Sequence, residues 1–396
     1  MKKIAFLVLA MSSTIAFAQC DGRYLTEIFP TVTNVEVEYT NVYDWSPLNS
    51  GLDMDVYTPD GDSYSERPLI IFAHGGVFIT GNKNNTAMVE LCEAFAKRGY
   101  VTASIQYRLT NFSSLTDSMQ MLQTVANGIS DFKAAIRYFR KDALQNGNTF
   151  GIDVDQIYVG GYSAGAVLAT NLAFMNDTTG IPAHFLSIIN ASGGFEGNSG
   201  NPGYSSNIKG VVNIAGAVYK SSYINSNEVP IVSVHALDDT TVPFDCDHAL
   251  SNSAILKICG SGEIHEKTDL MGIYDSLYVF NTGGHSAPIL QLATVSIPVV
   301  SDFLYTTLDC YGLSEIEEQD WGIELYPNPA KDYITIEAKT YINRIQLLDF
   351  SLRVVKEQIV NDYSQQLALT TLKDGVYFLM IDARDGSVFR KIMLVR

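Results

Sequence analysis

Positive charge is scarce in this chain: 26 Lys and Arg stand against 43 Asp and Glu, for a formal net charge of −17 over 396 residues. The imbalance lies between residues 19 and 324, since the first 18 residues carry only Lys2 and Lys3 and residues 325–396 hold ten basic against eight acidic side chains. A body this acidic offers no counter-charge to a phosphate backbone, which excludes nucleic acid as a partner and repels polyanionic substrates. Beyond the N-terminus no apolar run is long enough to span a bilayer, so no transmembrane segment is expected there. Cysteine is sparse too, with five residues, no C-x-x-C pair and no H-x-x-x-H spacing, so neither a metal nor any other cofactor is expected. The odd count leaves at least one thiol unpaired. Cys92, in the helical pattern MVELCEAFAKRGY, is expected to be buried and inert. The expected pairs are Cys246 with Cys259, closing a loop, and Cys20 with Cys310, tying the mature N-terminus to the end of the main domain.

What is present starts at the N-terminus. Lys2 and Lys3 precede the apolar run IAFLVLA, and Ala16-Phe17-Ala18 supplies the small residues that signal peptidase needs. Residues 1–18 therefore read as a signal peptide, and the mature protein is expected to be exported through the periplasm and secreted or held at the cell surface. Hydrophobic residues make up 46% of the chain, enough for a large core, and the length calls for two domains.

Strand-like runs near 34–40, 52–57, 68–73, 100–106, 156–160, 209–215, 229–235 and 276–281 alternate with helical patterns, clearest at 84–98 and 118–145. Such alternation predicts an α/β domain over residues 19–310, with a mostly parallel central sheet covered on both faces and an antiparallel start. Residues 176–208, rich in Asn, Gly and Ser, interrupt the alternation and are expected to overlie the site as a loop or small lid. A Glu-rich linker at 311–324 precedes short alternating strands at 325–396, which read as a small β-sandwich.

The chemistry concentrates at strand ends. GYSAG at 161–165, between QIYVG and AVLAT, reads as a nucleophile elbow: Gly161 and Gly165 let the turn close against neighbouring backbone, and Ser163 projects above the sheet. The helix that starts near Ala164 points its N-terminus at the negative charge of acyl transfer. PLIIF at 68–72 leads into HGGVF at 74–78, a glycine turn able to aim the N–H groups of Gly75 or Gly76, with that of Ala164, at an oxyanion. VPIVSVHALDDTTVP ends in the acidic pair Asp238 and Asp239, and LYVFNTGGHS ends in His285. The order Ser, Asp, His, each after its own strand, assigns Ser163 as nucleophile, His285 as general base and an acid from the 238–239 turn to orient it. Phe78, Tyr162 and Phe244 adjoin these turns and are expected either to wall an acyl pocket or to pack the core. His74 is expected to brace the glycine loop, His235 to be packed and satisfied, and His184, His248 and His265 to be exposed without partners.

HGGVF, RGYVTASIQYRL, FKAAIRYFRKDA, YVGGYSAGA, HALDDTTVP and GGHS together resemble the secreted carboxylesterase branch of the α/β-hydrolase superfamily, over residues 35–309. Its nearest likeness is to esterases that trim acetyl or feruloyl groups from plant polysaccharides, and a more distant one is to hormone-sensitive-lipase-like esterases. The resemblance implies a small-molecule or polysaccharide-linked ester as substrate, and the D-x-x-V-P turn of that group singles out Asp239. Val77 stands where those relatives often carry a third glycine, which narrows the acyl pocket or shifts the N–H donors. LYPNPA, DGVYFLMI and KIMLVR resemble the C-terminal sorting domain of the type IX secretion system, which implies the secretion machinery as partner. A carbohydrate-binding or fibronectin-like module would show the same alternation. Two other functions share the fold: a serine peptidase of the prolyl-oligopeptidase type, for whose propeller too few residues precede the first strand, and a catalytically silent adhesion or binding protein, against which the intact Ser, Asp and His speak.

Overall fold

In a computed structural model of the protein, the described residues are 23–43, 51–226, 228–308, 322–348, 354–373, 375–383 and 386–394. They fall into two compact units divided in sequence at residues 312 and 313. The expected signal peptide, the Cys20–Cys310 pair and residues 311–321 of the expected linker lie outside the described residues.

The larger unit contains β1 (Val32–Tyr43), β2 (Gly51–Pro59), β3 (Arg67–Ala73), β4 (Val101–Ile105), β5 (Ile152–Tyr162), β6 (Gly210–Ile214), β7 (Ile231–Ala236), the short pair β8 (Cys246–His248) and β9 (Lys257–Cys259), and β10 (Asp275–Phe280). Eight of these form one sheet in the order β1-β2-β4-β3-β5-β6-β7-β10. The β1–β2 and β2–β4 pairs are antiparallel, and every later pair in that sheet is parallel. The parallel strands are apolar without alternation because both faces are covered: in β3, Leu69 and Ile71 enter the core on one side, and Ile70 and Phe72 the core on the other.

Helices α1 (Thr86–Ala96), α2 (Ser118–Gln145), α3 (Ala164–Phe174), α4 (Ala183–Ala191), α5 (Ser261–Met271), α6 (Ala287–Leu290) and α7 (Ile297–Thr307) cover the sheet. Asn85 caps α1 by accepting from the Ala87 N–H, and Asp117 caps α2 by accepting from the N–H groups of Met119 and Gln120, which satisfies donors that have no carbonyl behind them. Every residue of α3 is buried, which its uniformly apolar sequence requires. Cys92 lies buried on α1 as a free thiol, and burial pushes its pKa up. Among the described residues no single helix is long and apolar enough to cross a membrane.

Residues 176–208 are not a loose lid. They contain α4, and the rest is fastened to α2 and β1: Lys133 donates to the Phe195 carbonyl, Arg137 to those of Glu196 and Gly200, and Asn201 to that of Tyr39. Basic side chains on α2 hold the segment by its backbone carbonyls, a role that composition alone does not disclose.

The smaller unit contains β11 (Glu324–Tyr326), β12 (Tyr333–Leu348), β13 (Val354–Ala368), β14 (Gly375–Ala383) and β15 (Gly386–Leu394). The alternation read as a β-sandwich builds one antiparallel five-stranded sheet, with the long β12 pairing β11, β13 and β14. Both ends of β12 feed the same core, where Ile334 and Ile336 join Ile345, Leu347, Leu379 and Ile381.

Candidate active site

Strand register sets the site. Ala73 pairs with Gly161, Tyr162 with Ile214, and Ala236 with Phe280, so β3, β5, β7 and β10 end level and the segments that follow emerge along one edge. At the end of β5, Ser163 takes φ 56° and ψ −121°, a strained turn of a kind that concentrates at functional sites and costs about 1–3 kcal/mol. Two glycines make it possible. A Cβ on Gly165 would lie 1.9 Å from the Ala73 carbonyl oxygen, and one on Gly161 would lie 2.5 Å from the same atom.

The Ser163 Oγ lies 2.8 Å from His285 Nε2, and His285 Nδ1 lies 2.7 Å from Asp239 Oδ2. Asp239 is buried in the turn after β7, where its Oδ1 accepts from the N–H groups of Thr241 and Val242. Burial opposes its ionisation, but hydrogen bonds from His235 and His285 and from the Val242 backbone outweigh that cost and hold the carboxyl well below the usual range. His235 is wholly buried: Nε2 faces Asp239 Oδ2 at 3.2 Å and the Val242 carbonyl at 3.0 Å, while Nδ1 meets Ser261 Oγ at 2.7 Å. Two acceptors at Nε2 require that nitrogen to carry a proton.

Asp238 does not meet His285 Nδ1. It accepts from the N–H groups of Gly283 and Gly284 at 3.1 and 2.8 Å, and so grips the backbone of the turn that carries His285. The adjacent acids thus divide the work, one holding the ring and the other its loop. Tyr162 stacks on the His285 ring at 5.1 Å, donates its hydroxyl to the His285 carbonyl, and is pushed up to about 12 by burial and the nearby Asp239 charge. Phe244 packs edge-on against His235 at 5.7 Å. Neither aromatic lines the cavity beside Ser163, whereas Phe78 does.

The 74–78 loop lies against the elbow, and a Cβ on Gly75 would sit 3.2 Å from the Ser163 Cβ. Gly76 turns the chain with φ 123°, and its carbonyl accepts from the N–H groups of Ile79 and Thr80. Val77 and Phe78 also have positive φ, at 56° and 63°, an outlying conformation for a β-branched residue, and both turn their side chains into the cavity wall. His74 braces this loop from below: buried, stacked on Tyr107 at 4.4 Å, its Nδ1 2.7 Å from the Gly75 carbonyl. Burial lowers its pKa to about 4, so the ring is neutral.

His184 is exposed, but His248 and His265 differ from expectation. His248 Nδ1 meets the Ile255 carbonyl at 2.7 Å, and His265 pairs with Asp275 and faces Asp269 at 3.8 Å. The ligand atoms of His265, Asp269 and Asp275 lie within 4.8 Å of one another. The 246–259 hairpin is closed by the expected Cys246–Cys259 disulfide and walls the cavity through Leu250, Ile255, Leu256 and Ile258, a contribution no motif announced.

The BD-FAE family model matches residues 54–219, which include the 74–78 loop and the turn at Ser163. Two ligand-bound structures of an esterase from Thermogutta terrifontis, with propionate and with butyrate, align with TM-score 0.50 at 19% identity, covering 69% of this chain and 93% of theirs. The larger unit has the α/β-hydrolase fold. Curated relatives of this chain include a neuroligin-like protein of Caenorhabditis elegans, 31% identical over 28% of this chain, and gut esterase 1 of the same species, 31% identical over 26%. Those alignments span only 14% and 18% of the relatives' own lengths. Residues 324–395, downstream of the α/β-hydrolase unit, match the secretion system C-terminal sorting domain, which marks the chain for export to the medium or the cell surface.

Proposed function

We propose that the α/β-hydrolase unit is a serine carboxylic ester hydrolase acting through an acyl-enzyme. The observation that carries this reading is the line from Ser163 Oγ to His285 Nε2 at 2.8 Å and from His285 Nδ1 to Asp239 Oδ2 at 2.7 Å, beside the N-terminus of α3. Ser163 attacks the ester carbonyl while His285 Nε2 takes the hydroxyl proton. Asp239, held ionised, keeps the Nδ1 proton on the ring and stabilises the imidazolium that forms. The oxyanion accepts from the Ala164 N–H and from Gly75 or Gly76, where one donor is typically worth about 3 kcal/mol. The alcohol leaves with the proton from His285, and water then releases the acid by the same steps in reverse.

The substrates proposed are esters of short acyl groups or esters linked to carbohydrate, met outside the cell after export by the secretion machinery that reads residues 324–395. Ser163→Ala tests the assignment. Turnover of 4-nitrophenyl esters should fall by at least about a hundredfold with the thermal transition unchanged, and labelling by a fluorophosphonate should disappear. Residual activity above that level in the folded variant would remove Ser163 as nucleophile. A parallel panel of peptide substrates should show no turnover.

A further inference from the structure

We infer that the cavity beside Ser163 is an acyl subsite for flexible aliphatic chains longer than acetyl, and that it disfavours hydroxylated aromatic acyl groups such as ferulate. The inference rests on the ester-hydrolase reading and specifies its acid component. The cavity measures about 790 Å³ with its open mouth included, and it begins at Ser163 and Ala164, where the acyl carbonyl would sit. Its walls come from separate elements, with Phe78 from the oxyanion loop, Leu122 from α2, Val167 from α3, Phe185 from α4, and Leu250 and Leu256 from the disulfide-closed hairpin. No Asp, Glu, Lys, Arg or His lines it.

The amide in the wall is already spent. Asn171 Nδ2 donates to the carbonyls of Val167 and Ala217 at 2.8 and 3.1 Å, and its Oδ1 accepts from the Tyr219 N–H at 2.9 Å. The Tyr219 ring is packed edge-on against Phe185 at 5.5 Å. A chain of methylenes therefore finds apolar partners along its length, whereas a phenolic hydroxyl carried into the same space gives up water for a wall that is hydrocarbon except at Ser163, Asn171, Tyr219 and Thr241. An unpaired buried hydroxyl forfeits about 5- to 150-fold in binding. Each methylene that leaves water is worth about fourfold. An acetyl group reaches only the mouth and uses none of this surface.

The test compares kcat/KM of the full chain on 4-nitrophenyl acetate, butyrate, hexanoate and ferulate, which share one leaving group. The expected result is a rise of about fourfold per methylene from acetate to hexanoate until the cavity is full, with ferulate at least about tenfold below hexanoate. Acetate matching or exceeding hexanoate, or ferulate exceeding it, overturns the inference. Val125→Trp on α2 fills the cavity and should lower the hexanoate-to-acetate ratio at least about tenfold, the loss of two or more methylenes' worth of contact. Leu256→Trp, on the half-buried hairpin, provides the same readout should the α2 variant fail to fold. An unchanged ratio in a folded variant also overturns the inference. If Ser163 takes up a fluorophosphonate and acetate is preferred, only the acyl-chain inference falls. If no ester turns over and Ser163 is not labelled, the ester-hydrolase reading falls and takes the inference with it.

Discussion

Acidification should weaken the larger unit through one ring, that of His74. The imidazole is fully buried, its Nδ1 is 2.7 Å from the Gly75 carbonyl, and its Nε2 has no hydrogen-bond partner. Burial lowers its pKa to about 4 against an ordinary value of 6.5. The unfolded chain therefore binds a proton between those two values that the folded chain refuses, and stability must rise with pH across that window. Fully developed, the effect is worth about 3 kcal/mol, and about 2 kcal/mol of it is lost on going from pH 7 to pH 5. His74→Asn retains an N–H where Nδ1 stood and removes the titration. Losing the stack on Tyr107 costs this variant stability at every pH, so the slope and not the absolute value is the measurement. Urea denaturation from pH 4 to 7.5 should show wild type losing about 2 kcal/mol more than His74→Asn between pH 7 and 5. Parallel curves for the two proteins would refute the neutral, buried assignment of this ring.

The two acids after β7 should separate in kinetics: Asp239→Asn should lower kcat by three or more orders of magnitude by losing control of the His285 tautomer. Asp238→Ala should cost about tenfold by freeing the backbone at Gly283 and Gly284, and equal losses would dismiss this division of labour. Tyr162→Phe keeps the stack on His285 and loses the bond to its carbonyl, so stopped-flow acylation rates should drop less than tenfold, with Tyr162→Ala falling further. Replacing Cys246 and Cys259 by serine opens a loop of sequence separation 13, which should cost about 3 kcal/mol by urea denaturation and raise KM for hexanoate more than for acetate.

Much of this site could be read in one dimension because each part is local. An elbow needs glycine at positions 161 and 165 for reasons of backbone space, and Ala73 oxygen at 1.9 Å from a hypothetical Cβ shows how little room there is. Continuous apolar runs such as PLIIF read as strands covered on both faces, and Ser163 and Asp239 each follow such a run, whereas His285 follows β10, a half-buried strand at the sheet edge. The expected strands and helices of the larger unit fall where periodicity placed them, since a period of two or of 3.6 is set within a few residues.

Tertiary structure decided what depends on contacts between distant segments. The resemblance to a D-x-x-V-P turn points to Asp239, but only the fold brings that carboxylate to a ring 46 residues away and gives Asp238 the glycine N–H groups beside it. Tyr162 and Phe244 neighbour the candidate turns in sequence, yet they pack on His285 and His235 instead of lining the cavity. The 176–208 segment, expected to overlie the site, lends Phe185 of α4 to the cavity beside Ser163, and Lys133 and Arg137 of α2 hold its later part by the backbone. Sequence by itself determined the scaffold and placed the candidate residues, whose causes lie within single turns and strands; the shape of the cavity beside Ser163 waited for the fold, which alone brings α2, α3, α4 and the hairpin to one wall.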